Sequence, residues 1–328
     1  VGLATHITCR AEVGHPHRLD LVNRLGDDAI LEERFVRIAY IIVDDLGSGV
    51  DVCQQITIPE GETLILSFQW DQPFFSVSGA PGSASDMDIV LANAACDTVL
   101  ESSAEANIGG DPVEVFSFTN FRFTNPAGSG VTTFNLVILK FVGPNPDLMK
   151  TVNSGSGSFA EFDTASGTSV DHSNALGGLG VGAAFYQQTP EFGTSPPVIE
   201  DFSSAGGTPI LFDIAGNRLS TPEIREQPDI TAPDGTDTTF FGGSDVEDNG
   251  FPNFFGTSAA APHAAAVAAL MKDLDDSLSP DAIYEALKAT AIDMDDPSTP
   301  GFDTSFDFGT GHGFIQADAA LAEVASPH

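Results

Sequence analysis

The sequence feature that most restricts the fold is the stretch Ala259 to Leu274, which is rich in alanine and apolar on every side of a helical projection. Such a helix is expected to lie inside a protein. Ala175 to Phe185 (ALGGLGVGAAF) is built from small residues and predicts a buried strand of the parallel type. Ser279, followed by Pro and Asp, predicts the cap of a second helix over Ala282 to Ala291, and Gln316 to Ala325 predicts a third. Strands that alternate with helices indicate an α/β fold.

The preceding part of the chain has a different pattern. Residues 51–147 contain short alternating segments, such as TLILSFQW and TFNLVILKFV, separated by Gly, Pro, Asn and Asp. This spacing predicts an all-β antiparallel sandwich, jelly-roll-like, with Phe residues and Trp70 in its core. Residues 148–170 are rich in Gly, Ser and Thr and predict a linker. Residues 1–50 form an N-terminal segment whose apolar run, Ile38 to Val43, predicts a buried strand.

The charge balance restricts the partners. The 328 residues include 47 Asp and Glu but only 12 Lys and Arg, a formal net charge of −35. This charge repels phosphate backbones and anionic lipid, which argues against nucleic acid and membrane surfaces as partners. Because counterions of salty or calcium-containing surroundings would screen the excess of carboxylates, we predict that the protein is secreted.

The three cysteines are Cys9, Cys53 and Cys96. Their number is too small for a disulfide scaffold, and their spacing is unlike that of a zinc site. A Cys53 to Cys96 bridge and three separate thiols both remain open.

The strongest chemical signal is Phe255 to His263 (FGTSAAAPH), which leads into the Ala-rich helix. A serine at the start of a buried helix can direct its backbone N–H at a developing oxyanion, and the helix dipole favours negative charge there. This segment resembles the Gly-Thr-Ser-x-Ala-x-Pro-His nucleophile segment of the subtilisin-like serine peptidases, the subtilases. Residues 171–328 resemble the C-terminal half of the family's parallel-sheet fold, and the resemblance implies that Ser258 is the nucleophile.

The other catalytic groups have no good match. The family places an Asp and a His before the nucleophile, in that order. His172 stands in Asp-His-Ser-Asn-Ala, which departs from the family's His-Gly-Thr pattern, and we interpret it as structural. Asp44 and Asp45 end the apolar run of the N-terminal segment but are followed by Leu-Gly-Ser-Gly rather than Ser/Thr-Gly. His6, His15 and His17 precede them, which is the wrong order.

The oxyanion Asn of the family has no match either, since Asn217 is better explained by a surface turn. We therefore expect the chain to be the C-terminal part of a longer subtilase that begins after its Asp and His motifs, with residues 1–50 as a possible remnant of the peptidase domain. The inserted sandwich resembles the pre-peptidase and P-type modules of secreted peptidases.

A second pattern predicts a calcium site. Asp245, Glu247 and Asn249, followed by Gly250, resemble the front half of a calcium-binding loop, in which alternate oxygens face one centre. The twelfth position of that loop is Gly256 rather than Glu, so another carboxylate such as Asp237 would have to complete the site. An acidic solvated hairpin is the alternative interpretation. Asp86 and Asp88, at alternate positions of a strand, form a weaker candidate for a second calcium site.

These observations predict a secreted subtilisin-like serine endopeptidase that acts on protein or peptide substrates, with Ser258 as nucleophile and Ca²⁺ as a bound ion. The alternative is an inactive scaffold, derived from a subtilase, that binds calcium, glycan or protein.

Overall fold

The computed structural model describes residues 3–8, 40–41, 53–121, 130–160, 163, 166–240 and 244–325. The chain divides into two compact units. Unit 1 comprises residues 1–166 and 210–223, and unit 2 comprises residues 167–209 and 224–328. Within the described ranges, no helix combines the length and the apolar character that a membrane crossing requires. Together the units give a mixed α/β chain, as predicted.

In its described residues, unit 1 contains two large antiparallel sheets. Their strands are β1 (Leu3–Thr8), β2 (Tyr40–Ile41), β3 (Gln54–Thr57), β4 (Thr63–Trp70), β5 (Asp86–Ala92), β6 (Val99–Ser103), β7 (Val113–Thr119), β8 (Thr133–Val142), β9 (Leu148–Asn153) and β10 (Ser158–Phe159), and a short helix, α1 (Phe75–Ser78), lies between β4 and β5 in the chain. One sheet has the order β1-β9-β4-β7, and the other has the order β10-β3-β8-β5-β6, with β2 also paired to β8.

The two sheets enclose one apolar core. Alternate residues of β4 point inward, so that Leu64, Leu66 and Phe68 are fully buried, and Phe134 and Met149 reach the same core from the other strands. This period of two is what a sheet with one buried face requires. The predicted sandwich is therefore present, with Trp70 in its core.

The sandwich extends beyond its predicted boundaries. Residues 148–153 and 158–159, expected to form a linker, are strands β9 and β10, because Met149 and Phe159 continue the buried face. In the N-terminal segment, β1 pairs with β9 and β2 pairs with β8, both antiparallel. The described parts of that segment thus belong to the sandwich sheets rather than to a peptidase remnant.

A hairpin from the later part of the chain also belongs to unit 1. Its strands are β12 (Ile210–Phe212) and β13 (Arg218–Glu223), which pair antiparallel. The turn between them contains Asn217, whose side chain donates to Asp213 Oδ2 at 2.9 Å. Gly216 adopts a φ of 78° in this turn, a left-handed conformation that glycine tolerates best. The surface-turn interpretation of Asn217 matches this geometry.

Cys53 and Cys96 form a disulfide bond. The two cysteines pack against Val90 and Val137 on the side of the six-stranded sheet that faces away from the main core. Strand β5 is consequently buried on both faces. Of the two alternatives left open by the sequence, the structure contains the bridge, while Cys9 lies outside the described residues.

The described residues of unit 2 contain the predicted parallel pair of strands and three α-helices. Its elements are β11 (Val181–Phe185), β14 (Ile230–Asp234), β15 (Thr236–Asp237), β16 (Asn253–Phe254), α2 (Thr257–Leu274), α3 (Pro280–Ala289) and α4 (Ala317–Ala325). Strands β11 and β14 are parallel. Helix α3 begins after Ser279, whose Oγ accepts a hydrogen bond from the Ala282 amide at 3.1 Å, as the cap predicted.

Helix α2 packs closely on the parallel strands because both sides of the contact are small. Ala260 and Ala264 of the helix lie in one buried cluster with Ala183 of β11 and Ala232 of β14. The prediction that the helix is internal is wrong for its opposite face, where Leu270 and Leu274 are each 52% exposed. In the sequence that face is as apolar as the buried one, so the pattern alone could not distinguish them.

Candidate active site

Ser258 is the second residue of helix α2 and is exposed to solvent. The residue before the helix, Gly256, has φ 121° and ψ 157°, a conformation that L-residues with a side chain rarely adopt. The first amide groups of a helix have no acceptor within the helix, and they lie at the positive end of its dipole. The hydroxyl of Ser258 therefore lies at a helix end that can stabilise a developing anion.

Pro262 modifies the first turns of the same helix. Because proline has no amide hydrogen, the usual helical bond to the carbonyl of residue i−4, here Ser258, cannot form. The carbonyl of Ser258 therefore lacks this helical donor. Ala259 and Ala260 both donate from their amides to the carbonyl of Gly256, at 2.8 and 3.2 Å.

A buried carboxylate supports this turn. Asp234, the last residue of β14, is fully buried, and its Oδ2 accepts a hydrogen bond from the Gly256 amide at 2.7 Å. Burial raises the pKa of Asp234, whereas the hydrogen bond from the Gly256 amide and, to a smaller extent, the nearby His263 lower it. Burial also raises the pKa of Glu200, and the negative charges of Asp234 and Asp201 raise it further. An Asp-Gly pair after a strand is typical of a turn, so the sequence alone does not point to this residue.

No general base for Ser258 is found within the described part of the chain. Ser258 makes no hydrogen bond there to a histidine. His263 lies on the same helix, but its Nδ1 pairs with the carbonyl oxygen of Ala259 at 2.8 Å. His172 is exposed in a short 3₁₀ helix, Asp171–Asn174. Asp44 and Asp45, together with His15 and His17, lie outside the described residues.

A pocket of about 400 Å³ lies beside the first turns of α2. Its apolar walls include Phe240, Phe251, Phe254, Ala259 and Pro262. Phe240 is 77% exposed, so a large aromatic surface remains in contact with water. Most ligand pockets combine such apolar walls with a few polar groups. The polar groups here are His263, Asp237 and three threonines.

The predicted calcium ligands do not converge on one point. Asp245 accepts hydrogen bonds from the backbone amides of Asn249 and Gly250, at 3.1 and 2.8 Å. Glu247 is turned toward other partners: it accepts from the Tyr186 hydroxyl, from Gln187 and from Asn253.

The other oxygens of this loop are also engaged. Asn249 Oδ1 accepts from the amide of Phe251 at 2.8 Å, and its side-chain nitrogen donates to Asp237 at 2.9 Å. Within the described part of the chain, no group of three His, Cys, Asp or Glu residues is arranged to hold a metal. The calcium site stays a prediction.

The weaker calcium candidate lies in unit 1. Asp86 and Asp88 are both buried on β5, and Asp86 Oδ1 accepts from the Asn107 amide at 3.1 Å. Asn107 in turn donates to Glu114 at 2.9 Å. Burial raises the pKa of Glu114. Asp86 therefore takes part in a hydrogen-bond network inside the sandwich.

A serine at the start of a long helix packed on parallel strands is an arrangement that occurs in serine hydrolases. Comparison with known proteins specifies the class further. Residues 160–313 match the Subtilase family (Peptidase_S8). This match confirms the resemblance to the subtilases found in the sequence.

Individual relatives agree with this assignment. Alkaline elastase YaB of Bacillus sp. (strain YaB) is 30% identical over 255 residues, which cover 69% of this chain and 63% of that protein. Subtilisin-like protease SBT4.6 of Arabidopsis thaliana is 30% identical over 137 residues, which cover 40% of this chain and 17% of that protein. The chain thus spans less than two thirds of the length of either relative.

Among solved structures, the CspB protease of Clostridium perfringens aligns with a TM-score of 0.47 and 17% identity. The alignment covers 84% of this chain and 55% of that one.

Proposed function

We propose that the chain is the nucleophile-bearing part of a secreted subtilisin-like serine endopeptidase. The observation that carries the proposal is the exposed Ser258 at the N-terminal end of α2, in a segment that matches the subtilase family. The acidic composition and the disulfide of unit 1 support export, because disulfides persist mainly in oxidising compartments.

In the proposed reaction, Ser258 Oγ attacks the carbonyl carbon of a peptide bond. A general base accepts the hydroxyl proton and then delivers it to the departing amine, which leaves Ser258 acylated. The backbone N–H of Ser258 and the dipole of α2 stabilise the negative charge on the carbonyl oxygen. Water then hydrolyses the acyl-enzyme and restores the hydroxyl.

The base and its orienting carboxylate are proposed to come from outside the described residues. Ser258 has no histidine partner among those residues, and the sequence offers no good match to the family's Asp and His motifs. The half-exposed apolar face of α2, which includes Leu270 and Leu274, also supports a further segment that covers it. A peptidase domain assembled in this way would bury that face.

The pocket beside α2 supports a peptide substrate. Its aromatic walls, Phe240, Phe251 and Phe254, would accept an apolar side chain of the substrate close to Ser258. The sandwich of unit 1 is proposed to be an inserted module of the kind found in secreted peptidases.

Labelling with a fluorophosphonate tests the proposal, because this reagent reacts with activated serine nucleophiles. We expect no labelling of the 328-residue chain, since loss of a triad member removes several powers of ten in rate. We expect labelling of Ser258 once the chain is joined to a subtilase segment that carries the Asp and His motifs.

Two variants test whether the labelled residue is Ser258. Ser258→Ala should abolish it, whereas Ser277→Ala, which removes an exposed hydroxyl beyond the other end of α2, should leave it intact. Absence of labelling in the joined protein would contradict the proposed function. Stoichiometric labelling of the 328-residue chain alone would instead show that it already contains a base, and His172 with Asp44 or Asp45 would be the arrangement to test.

One observation favours a second candidate function. Because Ser258 lacks a histidine partner among the described residues, the chain could be an inactive scaffold in which the sandwich binds glycan or protein. Binding of Ca²⁺ by this scaffold is a prediction from the sequence.

A further inference from the structure

Asp234 is a fully buried carboxylate next to the nucleophile turn, and the proposed reaction does not use it. Its Oδ2 accepts the hydrogen bond from the Gly256 amide, whereas its buried Oδ1 has no hydrogen-bond partner among the residues that the structure describes. A buried carboxylate with an unsatisfied oxygen costs free energy. This cost points to a role that an apolar residue at the end of β14 could not fill.

Hydrogen bonds connect the end of β14 to the segment before Ser258. One runs from the Gly256 amide to Asp234, and another runs from the Gly235 amide to the carbonyl of Phe254 at 2.8 Å. Gly235 has a φ of 69°, and a Cβ there would lie 2.5 Å from the ring of Phe185. Glycine at position 235 therefore permits the close approach of the strand end to the 254–256 segment.

Gly256 itself needs an external contact. Its φ of 121° places it outside the helical region, so the ladder of α2 does not hold its amide. Strained or unusual backbone conformations persist when the surrounding structure determines them. The carboxylate of Asp234 is the side chain that bonds this amide, two residues before Ser258.

The titratable groups near Asp234 lie on helix α2 and in the segment that contains Glu200 and Asp201. His263 on α2 lowers the pKa of Asp234, and Glu200 lies near enough for the charge of Asp234 to raise its pKa. Asp201 adds a further negative charge beside Glu200.

We propose that Asp234 is a positioning residue for Ser258: its buried carboxylate holds the Gly256 amide and thereby fixes the turn that presents the hydroxyl and backbone N–H of Ser258. The inference rests on the proposed role of Ser258 as nucleophile. When the acceptor is removed, the Gly256 amide is released and the orientation of the first turn of α2 is no longer fixed.

The test follows the backbone amides of Gly256 and Ser258 by NMR in the 328-residue chain. In the unchanged protein we expect slow hydrogen exchange at Gly256 and a pH titration of its amide shift, with a midpoint above the ordinary carboxyl value of about 3.9. Asp234→Ala should speed the exchange of the Gly256 amide about tenfold or more, the equivalent of one lost hydrogen bond, and should shift the Ser258 resonance.

The conservative variant separates positioning from general packing. Asp234→Asn keeps an oxygen acceptor of nearly the same shape, so it should restore slow exchange at Gly256 but remove the pH titration of its shift. Glu200→Gln is the matched control, since it removes a neighbouring carboxylate without touching the Gly256 bond, and it should leave the exchange slow and the titration present.

Unchanged exchange at Gly256 in Asp234→Ala, or an unmoved Ser258 resonance, would overturn the proposal. If Asp234→Ala does not fold, the Asp234→Asn titration decides, because a titration that persists in that variant contradicts the proposal. Failure of the proposed function looks different: Ser258 would remain unlabelled in the joined protein while the Gly256 amide still depended on Asp234.

Discussion

Arg218, on strand β13 of the hairpin, forms an ion pair with the buried carboxylate of Asp71 in the sandwich. The Asp71 side chain is only 2% exposed, and its second oxygen accepts from the Asp147 amide at 3.0 Å. Arg218 also donates to the Asp71 carbonyl at 2.9 Å and lies over the ring of Phe212. The hairpin falls inside the subtilase match, residues 160–313, yet this contact makes it part of unit 1.

Arg218→Ala should destabilise unit 1 by about 1–3 kcal/mol, because a buried carboxylate loses its charged donor. The measurement is urea unfolding followed by the fluorescence of Trp70, the single tryptophan, which lies in the core of unit 1. In a double-mutant cycle with Asp71→Asn, the two effects should not add. Additive effects would show that the ion pair contributes nothing to stability.

The two faces of helix α2 give a second prediction. Met271→Ala should destabilise unit 2 by about 2–5 kcal/mol because Met271 is fully buried. Leu270→Ala, at the neighbouring half-exposed position, should change stability by no more than about 0.5 kcal/mol. Thermal unfolding followed by circular dichroism compares the two variants. Equal losses would mean that the Leu270 face is covered in solution.

The disulfide is expected to stabilise unit 1. Cys53 and Cys96 are 43 residues apart, and closing a loop of this length in the unfolded chain corresponds to about 4 kcal/mol in the chain-entropy estimate. Cys53→Ser, or added reductant, should lower the unfolding free energy that Trp70 reports. Cys9→Ser is the matched control and should have no such effect. A stability that does not respond to reductant would contradict the bridge.

Local signals and long-range contacts differ in how well the sequence predicts them. The cap at Ser279 and the small residues of β11 predict their elements because the cause lies within a few residues. The pairing of β9 between β1 and β4, and the association of the 210–223 hairpin with unit 1, depend on contacts far apart in the chain. Segment 148–170 therefore resembled a linker, although Met149 is buried.

The candidate site shows the same division. The placement of Ser258 at the start of a helix was predictable because the helix start, the preceding glycine and the small residues all lie in one continuous motif. Asp234 was not, since an Asp-Gly pair after a strand usually indicates a turn, and only the fold brings its carboxylate to Gly256. The loop at residues 245–250 has a ligand-like spacing, but side-chain direction depends on partners such as Tyr186 and Asn253.

Calcium at this loop gives a fourth prediction. Because Asp245 already accepts two backbone amides and Glu247 faces Tyr186, binding would have to replace existing hydrogen bonds. The predicted site requires that millimolar calcium nevertheless raise the melting temperature above its value in chelator, because a ligand bound only by the folded state stabilises it. Asp245→Ala should remove that rise. Equal melting temperatures with calcium and with chelator would contradict the site.

Lys150, on strand β9, gives a pH dependence with a defined sign. Lys150 is only 6% exposed, and burial lowers its pKa to about 8. In the unfolded chain a lysine titrates near about 10.4, so between these two values the unfolded state binds more protons than the native state. Stability should therefore rise with pH across this window, by at most roughly 3 kcal/mol from this group.

The control for that prediction is Lys150→Met, which keeps the length of the side chain and removes the titration. The difference in unfolding free energy between the two proteins, measured by urea unfolding with Trp70 fluorescence, should move in favour of the lysine form from pH 8 to pH 10. Taking the difference cancels the titration of other lysines and tyrosines, because both proteins share them. A difference that stays constant over this range would mean that Lys150 is charged and solvated in the native protein.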